Sequence, residues 1–181
     1  DTLEKNPRYR AVFPHVFPDK AKGWTKQVVF LMRETKDPEP NLFGTGWTGP
    51  YQGGHYHRVY IDDPTDPQDV RSETVMEEQR GRLRGMLLDR KRQGGRMRAI
   101  FTRWGENDLK RDFDSMGFRI VERPIEGRYP WGRLLFPERY GDESLAELRK
   151  VKGSGLYQLT YMLNTEAAAG SMIKREWWKF Y

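Results

Sequence analysis

The sequence lacks cysteine altogether and has only three histidines among its 181 residues. Without cysteine the chain forms no disulfide and no thiolate zinc site, which suits a reducing compartment. Three histidines provide few ligands for a metal site. No apolar run approaches the roughly 20 residues that a bilayer-spanning helix needs, and no secretory leader is visible, so we expect a soluble protein with no membrane partner.

Two further absences concern the start of the chain and its motifs. The chain opens at Asp1 with no initiator methionine, so we interpret it as a fragment or a processed product. No G-x-x-x-x-G-K-[ST] loop, the phosphate-binding motif of many nucleotide hydrolases, occurs anywhere in it. We therefore expect these residues alone to bind ATP poorly and to hydrolyse none.

The chain does contain an excess of positive charge. Its 32 lysines and arginines outnumber 26 aspartates and glutamates, which gives a formal net charge of +6. This excess favours a polyanionic partner, with nucleic acid as the leading choice and a merely soluble basic surface as the alternative. With 36% hydrophobic and 13% aromatic residues, the chain is apolar enough to fold.

From the strand at 56–62 to residue 121, predicted strands and helices alternate. The helix from about Ser72 to Arg92 has apolar side chains at spacings of three, four and seven, a capping box at Thr74-x-x-Glu77, and Gly94-Gly95 as its stop. Strands and helices in this order predict a mainly parallel α/β sheet with right-handed crossovers. The other predicted elements are strands at 24–32, 41–47, 56–62, 97–102 and 118–121 and a helix at 106–116.

After Pro124 the pattern changes to a segment rich in arginine, proline, glycine and aromatic residues. Ser144-x-x-Glu147 then caps a small helix, and three leucines between 156 and 163 indicate another helix. The alanine-rich and glycine-containing stretch 165–171 is typical of a linker. We therefore expect a small helical region after the sheet.

Two carboxylates end the predicted strand 56–62. Asp62 and Asp63 would lie at the carboxyl edge of the sheet, where open α/β sheets bind ligands. There Asp62 would hold Mg²⁺ through water, and Asp63 would orient or deprotonate an attacking water. The structural alternative is a strand that ends in an Asx turn before Pro64.

Thr102 ends the next predicted strand. In a parallel sheet its hydroxyl would lie next to the two acids and sense a γ-phosphate, with Arg103 and Trp104 linking that sensor to a moving part. The alternative is structural, with Arg103 paired to Glu106 or Asp108 and Trp104 in the core.

Basic residues cover the other faces of the long helix and the residues after it. The structural interpretation is a solvated helix face, and the functional interpretation is contact with the phosphates of DNA. The candidate DNA-binding residues are Arg80, Arg84, Arg90, Lys91 and Arg92.

Four short motifs follow one another along the chain. They are Ile61-Asp62-Asp63-Pro64, Thr102-Arg103-Trp104 with Glu106-Asn107-Asp108-Leu109, Leu135-Phe136-Pro137-Glu138-Arg139-Tyr140, and Lys174-Arg175-Glu176-Trp177-Trp178-Lys179-Phe180-Tyr181. From about Asn41 to the end, the chain thereby resembles the large terminase subunit of tailed bacteriophages, the motor that packages DNA into an empty capsid. The resemblance implies ATP and Mg²⁺ as cofactors, double-stranded DNA, the small terminase subunit and the portal of the procapsid as partners, assembly as a homo-oligomeric ring, and a place in the host cytoplasm.

The resemblance also implies a fold. It would be α/β, with a mainly parallel sheet of the RecA-like, additional-strand P-loop NTPase type whose P-loop half is missing. Residues 1–137 would be the C-terminal half of the ATPase motor domain, and 138–170 a small helical linker subdomain. Residues 171–181 would begin the nuclease domain or the linker toward it, although the acidic cluster of such a nuclease is not visible.

Single residues receive roles from the same resemblance. Asp62 matches the Walker B acid that binds Mg²⁺, Asp63 the catalytic carboxylate, and Thr102 the motif that couples hydrolysis to movement. Arg58, the nearest guanidinium before the acid pair, is the candidate arginine finger. Two positions depart from the family, since Asp63 stands where glutamate is more common and Gly105 where histidine is.

Two other functions stay open. A superfamily-two helicase half also follows an acid-bearing strand with a serine or threonine sensor strand, but 135–140 and 174–181 fit it badly. A non-catalytic nucleic-acid-binding module would use its arginine-rich helix and aromatic side chains to contact phosphates and bases. DNA binding that survives the loss of Asp62 would favour the module, and ATPase activity that needs Asp62 would favour the motor.

Overall fold

The structure, a computed structural model, describes residues 5–49 and 54–166, and for 86–89 only the helical backbone. The described strands form three separate two-stranded sheets in a mixed α/β structure, where a single larger sheet was expected. The strands are β1 (Val28–Val29), β2 (Leu42–Phe43), β3 (Tyr56–Asp62), β4 (Lys91–Ile100), β5 (Glu126–Tyr129) and β6 (Gly132–Leu134). The helices are α1 (Pro7–Val12), α2 (Glu73–Arg90), α3 (Lys110–Ser115), α4 (Asp142–Lys152) and α5 (Ser154–Thr160), and a 3₁₀ turn at Asp69–Arg71 precedes α2.

The chain divides into two compact units. Of the described residues, the first unit contains 5–49, 54–59 and 86–97, and the second contains 60–85 and 98–166. The end of the expected linker and the expected approach to a nuclease, residues 167–181, lie outside the described part of the chain. None of the helices in the described part is both long enough and apolar enough to cross a membrane.

In the first unit, β1 pairs with β2 in an antiparallel sheet. The buried strand predicted over 24–32 is wrong, because only Val28 and Val29 form a strand and both are partly exposed. Met32 is exposed as well. The strand predicted over 41–47 is reduced to the two residues of β2. An apolar run becomes a buried strand only where another layer covers it, and the run itself does not show whether it is covered.

The apolar stripe predicted for the long helix is confirmed on α2 at Met76 and Leu83, which are fully buried. The helix begins at Glu73, close to the predicted start, but its capping residue differs from the prediction, because the Ser72 hydroxyl accepts the backbone N–H of Val75 at 3.4 Å. Ser72, and not Thr74, therefore caps α2.

The glycine pair Gly94-Gly95 does not end the helix as predicted, since α2 ends at Arg90 and both glycines lie within β4. A Cβ on Gly95 would lie 2.8 Å from the carbonyl oxygen of Arg92 and 2.9 Å from that of His57 in β3. Glycine is therefore needed there because the two strands approach closely, and Gly94 has a φ of +74°.

In the second unit, α3 carries the centre of an aromatic cluster. Phe113 is fully buried, with its ring centroid 5.4 Å from that of Phe101 and 5.1 Å from that of Phe118. The strand predicted over 118–121 is wrong, because these residues are irregular and the N–H of Phe118 donates to the carbonyl of Phe113 at 3.0 Å. Phe118 closes the aromatic cluster instead of joining a sheet.

A second cluster of apolar side chains joins the antiparallel β5–β6 hairpin to α4 and α5. Ile125, Leu145 and Tyr157 are the buried residues of this cluster. Ser144, predicted to cap a helix, lies inside α4, and its hydroxyl bonds the backbone N–H and carbonyl of Gly141, each at 2.9 Å. The helical region expected after the sheet is thus present, packed on a hairpin that was not predicted.

We expect Leu145→Ala to lower the free energy of unfolding by about 2–5 kcal/mol, because a fully buried leucine leaves a cavity when it is truncated. Val151→Ala, an apolar truncation at an exposed position of the same helix, is the matched control and should change stability by less than about 0.5 kcal/mol. Urea unfolding followed by circular dichroism measures both. Equal effects of the two variants would contradict the placement of this core.

Glu126 should make stability depend on pH. Burial acts to raise the pKa of Glu126, but hydrogen bonds from Tyr157 at 2.8 Å and from Arg149, with the charges of Arg149 and Arg133, outweigh it and lower that pKa. The stability these contacts provide is present above the unfolded-state pKa of about 4.3 and is lost as pH falls through the lower folded pKa.

We therefore expect Glu126→Gln to flatten the loss of unfolding free energy between about pH 5 and pH 2, because the variant has no carboxylate to protonate. Glu138→Gln, at an exposed glutamate, serves as the control and should keep the wild-type profile. Urea titrations over a pH series measure the profiles. An acid limb for Glu126→Gln as steep as that of the wild type would show that Glu126 does not control it.

Candidate functional site

The carboxyl-terminal ends of β3 and β4 lie side by side in the second unit. The backbone N–H of Asp63, just beyond β3, donates to the carbonyl oxygen of Ile100 at 2.9 Å. The backbone N–H of Thr102 donates to Oδ1 of Asp63 at 3.0 Å. The structure thus brings Asp63 and Thr102 together at the strand ends, through the backbone N–H of Thr102 and the carboxylate of Asp63.

Asp63 has an unusual backbone conformation. Its φ of 39° lies in the left-handed region, which aspartate and asparagine tolerate better than most residues other than glycine. Its carboxylate bonds a backbone group 39 residues away, which differs from a local Asx turn before Pro64. Asp62 is the last residue of β3, and its side chain, like that of Asp63, is exposed. Two accessible carboxylates therefore stand at this edge, one of them held by the neighbouring strand.

Arg103 is a buried ion-pair residue. Its Nε donates to the buried carboxylate of Asp108, its Nη1 lies 3.2 Å from Oε1 of Glu122, and its Nη2 donates to the carbonyl of Gly105 at 3.4 Å. The observed contacts of Arg103 therefore agree with the structural alternative, in which Arg103 pairs with Asp108. The Lys110 ammonium, 2.8 Å from Glu122, is the main cause that lowers the pKa of Glu122, with burial opposing it and Arg103 adding to the lowering.

Arg80 forms ion pairs with the acidic side chains around it. The Arg80 side chain is only 14% exposed and also bonds Oδ1 of Asn107. The hydrogen bond from Arg80, followed by one from Asn107, lowers the pKa of Glu73. The ion-pair distances of this network are Arg80 to Glu73, 2.7 Å, to Asp112, 3.3 Å, and to Glu77, 3.4 Å, and Arg84 to Asp112, 3.4 Å. Of the two arginines predicted as DNA contacts here, Arg84 is the more accessible.

The remaining predicted residues belong to the first unit. Arg58 is exposed on β3. Arg90 ends α2 and Lys91 begins β4, and both are partly buried. Arg92 lies 2.7 Å from a carboxylate oxygen of Asp37, so part of its charge is compensated within the unit.

Asp112, which holds Arg80 and Arg84, was not singled out from the sequence. The signal was present, because Leu109, Asp112 and Phe113 are spaced three and four residues apart and so share one helical face. That face is buried, and a buried carboxylate requires a cationic partner.

Nowhere in residues 5–49 and 54–166 do three acidic or histidine side chains converge as a metal-binding group. A Mg²⁺ ion at Asp62 would therefore be completed by water and by nucleotide phosphates. Mg²⁺ is usually bound in that way, through one or two carboxylates together with substrate phosphates. The two exposed acids fit such a site and would not form a closed protein cage.

No family model matches the sequence, and no curated protein matches it at a significant level. A function for the chain is therefore inferred from its own residues, their geometry and the resemblance of its motifs.

We expect Asp63→Ala to destabilise the protein by about 1–2 kcal/mol, because it removes the acceptor for the Thr102 N–H and puts alanine at a positive φ. Asp63→Asn keeps an oxygen acceptor and tolerates this φ, so most of the stability should remain. Asp62→Ala, at the exposed neighbour, should change stability by less than about 0.5 kcal/mol. Thermal and urea unfolding compare the three variants. Equal losses for Asp63→Ala and Asp62→Ala would mean that the cross-strand bond does not stabilise the turn.

Proposed function

We propose that this chain is part of an ATP-driven DNA-packaging motor of the terminase large-subunit type. The observation that carries the proposal is the contact between Asp63 and Thr102 at the adjacent ends of β3 and β4. A nucleotide-driven motor needs an acid beside the nucleotide and a neighbouring element that responds to it. The order of the four sequence motifs supports the same assignment.

In the proposed mechanism the two acids have different tasks. Asp62, exposed at the end of β3, would bind Mg²⁺, which when present neutralises charge on the nucleotide phosphates. Asp63 uses Oδ1 to accept the Thr102 N–H, so Oδ2 would orient or deprotonate the attacking water. The positive φ of Asp63 and its cross-strand bond would keep this carboxylate in one orientation.

Coupling to movement would begin at Thr102. A change in the position of the Asp63 carboxylate would act directly on the backbone of Thr102, because the two are joined by a hydrogen bond of 3.0 Å. Arg103 follows Thr102 in the chain and is anchored to the buried Asp108, two residues before α3. Thr102 and Arg103 thus link the candidate catalytic acid to a helix.

The other parts of the proposal come from the motif resemblance. The P-loop and a larger RecA-like sheet, in which β3 and β4 would be two strands, would come from residues beyond these 181. The exposed Arg58 would act as an arginine finger. ATP, double-stranded DNA, the small terminase subunit, the portal and a ring of identical subunits in the host cytoplasm complete the proposed system.

The test measures Mg²⁺-dependent ATP hydrolysis by this chain, produced together with the polypeptide encoded immediately upstream of Asp1. We expect activity with the pair and none with the chain alone. Asp63→Asn should lower the rate about 10²- to 10⁴-fold, because it removes a proton acceptor while keeping the hydrogen bond to Thr102. Asp62→Asn should abolish Mg²⁺-dependent activity, and the control Asp114→Asn, at an exposed aspartate of α3, should leave it unchanged.

Two results would overturn the proposal. One is an upstream sequence without a strand and glycine-rich loop ending in Lys-Ser or Lys-Thr. The other is ATP hydrolysis that is absent from the pair, or that persists in both Asp62→Asn and Asp63→Asn. Salt-dependent DNA binding that is unaffected by these substitutions would then favour a non-catalytic binding module.

A further inference from the structure

The tip of the β5–β6 hairpin carries a stacked pair of aromatic rings. The rings of Tyr129 and Trp131 have centroids 5.6 Å apart and are inclined by only 10°. The Tyr129 hydroxyl donates to the carbonyl of Pro124, and the Trp131 indole N–H donates to the carbonyl of Leu134 at 2.9 Å. Each ring is therefore held both by its neighbour and by a hydrogen bond at its polar atom.

Trp131 is nevertheless exposed. Tryptophan has the largest side chain of the common amino acids, and 58% of this residue remains accessible. Because Tyr129 covers one face of the indole, the accessible area lies mainly on the other face and the edge. A rigid exposed aromatic face loses little conformational entropy when a second flat group stacks on it.

One exposed cation adjoins the stack. Arg133 and Arg149 pair with Glu126, and Arg133 also pairs with Asp142, so these four charges compensate one another. The guanidinium of Arg139 lies over the Tyr140 ring, 5.2 Å from its centroid, whereas Arg128, next to Tyr129, is exposed. A flat aromatic face beside an exposed arginine, in a chain with a net charge of +6, matches the two parts of a polynucleotide, its bases and its phosphates.

We propose that the Tyr129–Trp131 stack is a base-stacking site for single-stranded DNA. An unpaired base would lie on the open face of Trp131, and Arg128 would contribute to attraction of the phosphate backbone. Duplex DNA hides the faces of its internal bases, so stacking would select single strands. The site would add a DNA contact to the proposed motor, and its DNA binding needs neither nucleotide nor Asp62. An experiment can therefore distinguish the absence of single-strand binding from the absence of ATP hydrolysis.

A purely structural role for the stack makes a different prediction. If Tyr129 and Trp131 only stabilise the turn between β5 and β6, removing the indole would change stability but not the dependence of binding on bases. The test therefore changes the protein and the oligonucleotide separately and together, in a double-mutant cycle.

The experiment measures fluorescence anisotropy of a labelled thymidine 12-mer with the 181-residue chain, without nucleotide. A second 12-mer has the same phosphates but abasic sites in place of the bases. We expect Trp131→Ala to weaken binding of the thymidine 12-mer about 10- to 100-fold, the range for loss of base stacking. The wild type should lose a similar factor with the abasic 12-mer, and Trp131→Ala should hardly distinguish the two ligands.

Two variants and one further ligand complete the design. Trp131→Phe keeps an aromatic face and should retain most of the affinity, which also provides a folded variant if Trp131→Ala does not fold. Trp24→Ala, at an exposed tryptophan of the first unit, should behave like the wild type. A 12-base-pair duplex should bind less tightly than the single strand and should not respond to Trp131→Ala.

The proposal is overturned if the wild type does not bind the thymidine 12-mer. It is also overturned if the wild type binds the abasic and thymidine 12-mers equally, since phosphates alone would then account for binding. Equal losses of affinity in Trp131→Ala and Trp24→Ala would exclude a specific base-stacking site at Trp131. Duplex binding as tight as single-strand binding, and equally sensitive to Trp131→Ala, would contradict the choice of single strands.

Discussion

The hydrogen bond from the Thr102 N–H to the Asp63 carboxylate is the constraint on which the candidate site depends. It joins the ends of two strands that 39 residues separate along the chain, and it holds Asp63 at a backbone angle that few residues adopt. Beyond it, Arg103 is anchored by the buried Asp108, so the strand end, the acid and the start of α3 are mechanically connected. Movement of the Asp63 carboxylate therefore either breaks this hydrogen bond or displaces the backbone of Thr102.

Part of the positive charge of the chain is paired with carboxylates within the fold. Arg80, Arg92 and Arg149 each face carboxylates at ion-pair distance, so they contribute less to an external field than their number suggests. Arg128 and Arg139, in and just after the β5–β6 hairpin, are exposed instead. The net charge of +6 therefore does not show where exposed positive charge lies, because that depends on which cations the fold has paired with carboxylates.

Part of the candidate site could be predicted from the sequence. A strand that ends in two acids and a strand that ends in threonine can both be recognised from local sequence. When two such strands pair in parallel, their carboxyl ends are adjacent. The proximity of Asp63 and Thr102 was therefore predictable. The pairing of Arg103 was predictable only as one of two alternatives. The neutralisation of Arg80 was not, because its partner Asp112 is 32 residues away and only the packing of α3 on α2 brings them together.

By itself the sequence determined the local elements with a strong period. The strand at 56–62 follows from its apolar residues and the buried stripe with Met76 from helical spacing. Both patterns act between neighbours in the chain. Tertiary structure decided the rest. In the segment 24–32 only Val28 and Val29 form a strand, and 118–121 forms none, although both segments have strand composition. A strand requires a distant partner and a covering layer, and short-range patterns do not specify whether the fold supplies either one.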